Sequence, residues 1–321
     1  MKKPIFTIII PVRQINDYVL ETKLHLQKQT FRNYELLVIT DQISQQTHPS
    51  FKRNLGAKMA KGKYLAFLDD DSYPDRNWLK NALSVFKHYP HAAAICGPCL
   101  IPSKDDIFQK ASGLLWSSFL GSGGAGQYRN SPQPTRKVDD YPSVNLIVEK
   151  ADFFRVGGFN QKFWPGEDTL LCLSLTKKPG KDIIYHPSIR VYHHRRRVVI
   201  PHLQQITRYA LHRGLFAKKF PQTSCRLGYL MPSFFVIYLL ILPFLPKIFF
   251  VPLFLYLIAL SLTFIHFLIL NNSFIVSLLA VITIPITHIY YGILFIYGFF
   301  QKDIDFTPHQ VDKITGKYVG G

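Results

Sequence analysis

Tyr64-Leu65-Ala66-Phe67-Leu68 is an apolar run that ends directly on Asp69-Asp70-Asp71. A short run of this kind, closed by polar residues, reads as a buried strand. Three adjacent carboxylates at its end raise one another's pKa unless a cation neutralises them. Hard oxygen ligands so close in sequence suit Mg²⁺ or Mn²⁺, which keep positions open for phosphate oxygens. An acidic turn capping the next helix accounts for the same residues without a ligand, so the flanking sequence has to decide. Upstream, Phe6–Val12 is a β-branched run, and Asp17–Thr30 has apolar residues at helical spacing. Glu35–Thr40 is a second strand and stops at Asp41; Phe51–Lys61 reads as a helix closed by Gly62. Downstream, Trp78–His88 is helical and Ala92–Cys96 is a fourth strand. Strands alternating with helices predict an open, mostly parallel α/β sheet, Rossmann-like in layout. Ligands bind such sheets at the carboxyl ends of strands. Val12-Arg13, Asp41 and Asp69–Asp71 all stand at such ends. Past Gly97 the alternation weakens, and Gly121–Gly126 with Ser131–Thr135 read as a mobile loop with no helix of its own.

The chain is 321 residues long, with 38 Lys and Arg against 20 Asp and Glu and a net charge of +18. That charge is unevenly spread. Between Tyr229 and Phe300 the one charged residue is Lys247, whereas residues 1–228 carry 34 basic and 17 acidic side chains. Tyr229–Leu245, Ile248–Leu270 and Phe274–Phe300 are long apolar runs separated by Pro246-Lys247 and Asn271-Asn272-Ser273. About 20 apolar residues cross the hydrocarbon core. The second and third runs qualify outright; the first is short and holds Pro232 and Pro243, which leaves two or three crossings. The expected division is a basic head over 1–228, an all-α transmembrane segment over 229–300 and a polar tail over 301–321. No signal peptide is visible at the N-terminus. The basic stretch His194–Lys219 before the first run favours the cytoplasmic side for the head. The expectation is therefore an integral protein of a bacterial or archaeal cell membrane.

A second acidic site follows in Trp164-Pro165-Gly166-Glu167-Asp168-Thr169. A Gly turn there presents two carboxylates at the start of Leu170–Leu175. Carboxylates are stable at a helix N-terminus, which makes Asp168 a good cap. They also suit a general base for a sugar hydroxyl.

Taken in order, these pieces resemble the inverting family 2 glycosyltransferases with a GT-A nucleotide-sugar-binding fold, from about Pro4 to Gly214. Ile8–Val12 is similar to the family's opening strand, so Pro11, Val12 and Arg13 would face the nucleotide. Asp41 matches the aspartate that bonds the base. Arg53-Asn54 resembles the family's Arg-Asn helix, and Asp69-Asp70-Asp71 its Asp-x-Asp metal motif. Arg155–Asn160 matches the segment before the acceptor-side pair, here Glu167-Asp168. Pro187–His193 resembles the ending whose His completes the metal shell, and Gln205–Tyr209 a Gln-x-x-Arg-aromatic motif. The resemblance implies a metal-dependent transfer in a single displacement. Asp69, Asp71 and His193 would hold Mg²⁺ or Mn²⁺, Asp70 would stand at the donor, and Asp168 beside Glu167 would be the base. Arg208, with Arg195 or Arg197, would meet the leaving pyrophosphate. Implied partners are a nucleotide-diphosphate sugar, UDP-sugars favoured, a lipid-linked or glycan acceptor, and membrane lipids. There are departures: Gln42-Ile43-Ser44-Gln45 replaces the usual acidic and Gly residues after Asp41, and Tyr209 stands where processive polymerases have Trp.

Other features carry less. Cys96-Gly97-Pro98-Cys99 has no second Cys-x-x-Cys, and zinc wants four ligands; packing cysteines fit better. His193–Arg197 lacks interleaved aromatic residues, which speaks for anionic lipid or pyrophosphate and against nucleic acid. His266 and His288 sit in apolar runs, either as functional groups or as neutral side chains bonded to a neighbouring helix. Two alternatives stand beside the main reading. Transfer onto polyprenyl phosphate would need no base, since that acceptor is already ionised. A sugar- or lipid-binding membrane scaffold would keep the fold without turnover.

Overall fold

The computed structural model describes residues 3–304 apart from Ala125, Pro179 and Asn272, so most of the polar tail lies outside the described residues. Packing divides the described chain into two units. One comprises 3–102 and 131–194; the other comprises 103–130 and 195–304. The second unit thus takes in a segment of the head and starts well before the first apolar run.

The first unit is built on strands β1 (Phe6–Pro11), β2 (Tyr34–Ile39), β3 (Tyr64–Phe67), β4 (Ser72–Pro74), β5 (Ala92–Cys96), β6 (Cys99–Leu100), β7 (Arg136–Val138), β8 (Leu146–Glu149), β9 (Asp182–Tyr185) and β10 (Val191–His193). Among the described residues seven of them form one sheet in the order β2-β1-β3-β8-β5-β9-β7. β1, β3 and β5 are buried along their whole length, which is why they read as continuous apolar runs. The sheet is mixed: β8 runs antiparallel to β3 and β5, and β7 antiparallel to β9. The simple alternation read from the N-terminal half does not extend to these two strands, which follow the segment where periodicity fades. A small second sheet, β4-β10-β6, sits beyond the end of β3. Its antiparallel pairing sets His193 opposite Ser72, one residue past the acidic motif.

Two helices frame the strand ends. Helix Asp17–Gln27 is N-capped by Asn16, whose Oδ1 accepts from the Val19 N–H at 2.9 Å. Helix Pro49–Met59 starts with Pro in its first turn, where the missing N–H costs nothing. Gly56 lets that helix lie directly on β1, since a Cβ there would stand 2.7 Å from Ile9 Cγ2.

In the second unit the region read as a loop is partly helical. Helix Ile107–Ser117 opens with a capping box from Asp106 and Gln109, and turns Phe119–Ser122 and Gln127–Asn130 flank the glycines. Its buried face, Ala111, Leu114 and Leu115, packs with Val198, Phe267, Val276, Ala280 and Ile284. Helix Ile200–Lys219 lies on helix Phe274–Phe300 at a backbone-to-backbone crossing. A Cβ at Gly214 would collide with the Phe295 carbonyl, and one at Gly298 with the Leu211 carbonyl. Small residues permit such approaches between apolar helices. Among the described residues three helices are long and apolar enough to cross a membrane: Leu227–Phe244, Lys247–Leu270 and Phe274–Phe300. Pro232 and Pro285 sit inside the first and third. His288 is bonded to neighbours: the Tyr256 hydroxyl lies 2.9 Å from Nδ1 and the Leu120 carbonyl 3.1 Å from Nε2. Because a carbonyl only accepts, Nε2 carries the proton and Nδ1 accepts from the tyrosine.

Candidate active site

Helix Pro49–Met59 points two adjacent buried cations at the strand ends. Lys52 is 2% and Arg53 5% exposed. Arg53 forks between the two acidic motifs. Its Nη2 donates to Asp69 Oδ1 at 2.7 Å and its Nη1 to Glu167 Oε1 at 3.0 Å. The guanidinium also lies over the Phe159 ring, 5.5 Å from its centroid. Lys52 reaches the other way, donating to the Val12 carbonyl at 2.7 Å and pairing with Asp41. Asn54 is spent on the loop: its Nδ2 donates to the Phe159 carbonyl at 2.8 Å and its Oδ1 accepts the Phe159 N–H at 2.9 Å. That clasp fixes Gly158, held at φ +72 where only glycine is at ease.

The acidic strand end is divided among three partners. Asp69 faces Arg53. Asp70 Oδ2 accepts from Asn16 Nδ2 at 3.1 Å, and burial, then Asp71 and Asp69, push its carboxyl up to about 6. Asp71 Oδ1 lies 3.1 Å from His193 Nε2, and the backbone of His194 donates to the Asp71 carbonyl at 3.0 Å. The expected trio of Asp69, Asp71 and His193 is therefore not drawn into one shell; among the described residues no three His, Cys, Asp or Glu side chains are. Asp69 is instead bonded to Arg53 Nη2 at 2.7 Å. The His193 Nδ1 is buried with no hydrogen-bond partner among the described residues. Carboxylate oxygens with an imidazole are donors that suit Mg²⁺ or Mn²⁺, so the residues at hand fit such an ion.

Glu167 and Asp168 begin helix Glu167–Lys177. Asp168 Oδ1 accepts the Thr169 N–H at 2.8 Å. Glu167 is buried, and desolvation followed by the Asp168 charge pushes its carboxyl upward against the pull of Arg53. Arg208 lies on helix Ile200–Lys219, in the second unit. Arg195 donates to Asn130 and Arg197 pairs with Asp106, both within that same unit. Cys96 and Cys99 are buried thiols, outside any disulfide, in short strands.

Sequence reading missed Lys52, Asn16 and Glu21, whose Oε2 lies 2.9 Å from His194 Nε2. For Lys52 a signal existed. It falls on the same helix stripe as Arg53, Gly56 and Ala57, and a lysine on a buried stripe needs a partner.

Parallel β2-β1-β3 with carboxylates at their ends, followed by a mixed continuation of the sheet, defines a GT-A fold, the nucleotide-sugar-binding class. Residues 44–142 match the profile of glycosyl transferase family 2. A glucosyl-dolichyl phosphate glucuronosyltransferase of Haloferax volcanii is 23% identical over 154 residues, 45% of this chain and 47% of that protein. A pre-mycofactocin glycosyltransferase of Mycobacterium tuberculosis is 28% identical over 152 residues, 46% of this chain and 30% of that one. The chain thus spans less than half the length of these curated relatives. A mannosyltransferase of Pyrobaculum calidifontis, solved with GDP-Man and Mn²⁺, superimposes over 94% of this chain and 89% of its own, with TM-score 0.56 and 15% identity; that likeness speaks to the fold. The chain carries a domain of glycosyltransferase family 2.

Proposed function

We propose that this chain is a membrane-anchored, divalent-cation-dependent, inverting glycosyltransferase. It moves a sugar from a nucleotide-diphosphate donor, a UDP-sugar foremost, to a lipid-linked or cell-surface glycan acceptor. The observation that carries the reading is the Arg53 fork, which joins Asp69 of the donor-side motif to Glu167 of the acceptor-side motif. Three helices able to cross a membrane, among the described residues, support anchoring, and the basic head favours its cytosolic side. The name of the Haloferax relative supports a lipid-linked acceptor.

The acceptor hydroxyl attacks the anomeric carbon. The new C–O bond forms as the bond from that carbon to the diphosphate oxygen breaks, and the electron pair leaves with the nucleoside diphosphate. Asp168 takes the hydroxyl proton. Glu167 is a positioning residue, held by Arg53 beneath that base. Asp71 and His193, with Asp69, would hold Mg²⁺ or Mn²⁺. Such an ion, when bound, offsets the charge on the departing diphosphate.

Asp168→Asn removes the proton acceptor and keeps the shape. Transfer of labelled sugar to membrane acceptors should fall by about 10²–10⁴ with donor binding retained. A near-normal rate would instead favour polyprenyl phosphate as acceptor. Absence of transfer and of donor hydrolysis by the unaltered chain, across a panel of nucleotide sugars, would favour the non-catalytic scaffold.

A further inference from the structure

Helix Asp17–Gln27 has two working faces. Val19 and Leu26 enter the core of the first unit. Tyr18, Glu21, Thr22 and His25, spaced by three and four, share another face that is aromatic and polar. That face lies on the small sheet. The His25 ring stacks on Tyr73 of β4 with centroids 4.1 Å apart, and the Tyr18 ring stands 4.6 Å from that of His194. The Thr22 hydroxyl lies 2.6 Å from the Ser72 carbonyl and shares its proton with the Tyr18 carbonyl at 2.8 Å; Thr22 and Ser72 are both buried. Glu21 Oε2 lies 2.9 Å from His194 Nε2, and since a carboxylate only accepts, that nitrogen carries the proton. Asn16, the N-cap of the same helix, donates to Asp70. Asp70 and Ser72 stand on either side of Asp71, and His194 follows His193.

We infer that this helix sets the spacing of Asp71 and His193, with Glu21 and Thr22 as positioning residues for a divalent cation. The inference deepens the proposed function and rests on Asp71 and His193 holding that ion. The two donors come from different segments. β4 and β10 are each three residues long, and strands so short hold a side-chain pair in place poorly by themselves. The turn is closed from within by Ser72 Oγ, which donates to the Asp69 carbonyl at 2.9 Å. It is tied to β10 by the His194 N–H, which donates to the Asp71 carbonyl. Thr22 grips one side of that tie and Glu21 the other, so one rigid helix holds both segments at a fixed separation. A small divalent ion demands near-ideal ligand geometry, so a slack support is felt in its affinity. Groups that orient ligands in this way are typically worth about 10–100-fold in metal binding.

The test is titration of Mn²⁺ alone into the full chain in detergent, read from the electron paramagnetic resonance signal of the free ion, with Tm measured in EDTA alongside. Glu21→Ala and Thr22→Val should each weaken Mn²⁺ binding by about tenfold or more. Glu21→Gln should retain most of the affinity, because its amide oxygen still accepts from His194 Nε2. Leu20→Ala, on the opposite, exposed face of the helix, should leave the affinity unchanged. If Thr22→Val does not fold, the two Glu21 variants decide. A merely structural helix would lower Tm in Glu21→Ala and Thr22→Val with Mn²⁺ bound as tightly as before, and that result overturns the inference alone. So does a Glu21→Gln protein as weak as Glu21→Ala, or a Leu20→Ala protein as weak as either. An unaltered chain that binds no Mn²⁺ would sink the cation-dependent reading with it.

Discussion

Replacing Arg53 by methionine should cost far more than a surface ion pair and should do so in a pH-dependent way. Its two partners differ: the Glu167 side chain is 6% exposed and that of Asp69 31%. Asp69 can turn to water. Glu167 cannot, and removing one member of a buried pair typically costs about 3–5 kcal/mol because the other charge is stranded. Glu167 can soften that loss by taking a proton, since its carboxyl is already raised and Arg53 is the group pulling it down. The folded variant then holds a proton that the unfolded chain has released, so its stability falls as pH rises. The expected deficit is about 3 kcal/mol at pH 8 and less at pH 6. For a unit of this size that is a drop of roughly 6–12 °C in Tm at the higher pH. Thermal unfolding of the full chain in detergent across that range measures it. Glu167→Gln in the same background removes the stranded charge and should recover at least half of the loss at pH 8. An Arg53→Met protein within a degree of the unaltered chain at pH 8, or no recovery in the double variant, would refute the reasoning.

Asp70, held at about 6 chiefly by burial, keeps a proton in the folded chain that the unfolded chain loses near pH 4. Stability measured in EDTA should thus decline by roughly 2 kcal/mol between pH 4 and 6, and Asp70→Asn should flatten the curve; a flat profile for the unaltered chain would contradict this. Gly298→Val places a branched side chain against the Leu211 carbonyl, and helix Ile200–Lys219 should part from the apolar helix with at least about 3 kcal/mol lost; unchanged Tm would mean the crossing is looser than described. Three crossings put the tail on the opposite side from the head. An impermeant thiol reagent should then label a single cysteine placed at Lys302 in intact cells, and protection until lysis would mean an even number of crossings.

Up to Cys96 the strands of the large sheet and the long helices were legible because each alternates cleanly with the next and carries its own stop, such as Gly62 or the Asp69–Asp71 run, whereas the short strand β4 past that run was not. Helix Trp78–His88 and strand Ala92–Cys96 fall on the residues read from spacing alone. Strands β7 and β8 were not legible, since direction in a sheet depends on pairing partners far away in sequence. Helix Ile107–Ser117 escaped because the neighbouring glycines dominated the reading, while its capping box at Asp106 and Gln109 was there to be seen. The acidic motifs were visible as residues. That Arg53 joins them was not, because one side chain meeting two segments so distant in sequence leaves no periodicity to read.

The chain enters the second unit at residue 103, returns at 131 and leaves again at 195. The two packed units are therefore interleaved along the sequence, with no single boundary between them. A chain ended at Arg226 to obtain a water-soluble catalyst would keep helices Ile107–Ser117 and Ile200–Lys219 but lose Phe267, Ala280, Ile284 and Gly298, on which they rest. It would carry two orphaned apolar faces into water, the usual origin of aggregation. Evolution faces the same constraint: the second unit cannot be exchanged for another by a simple join at residue 226. It must come with a matching insertion between β6 and β7.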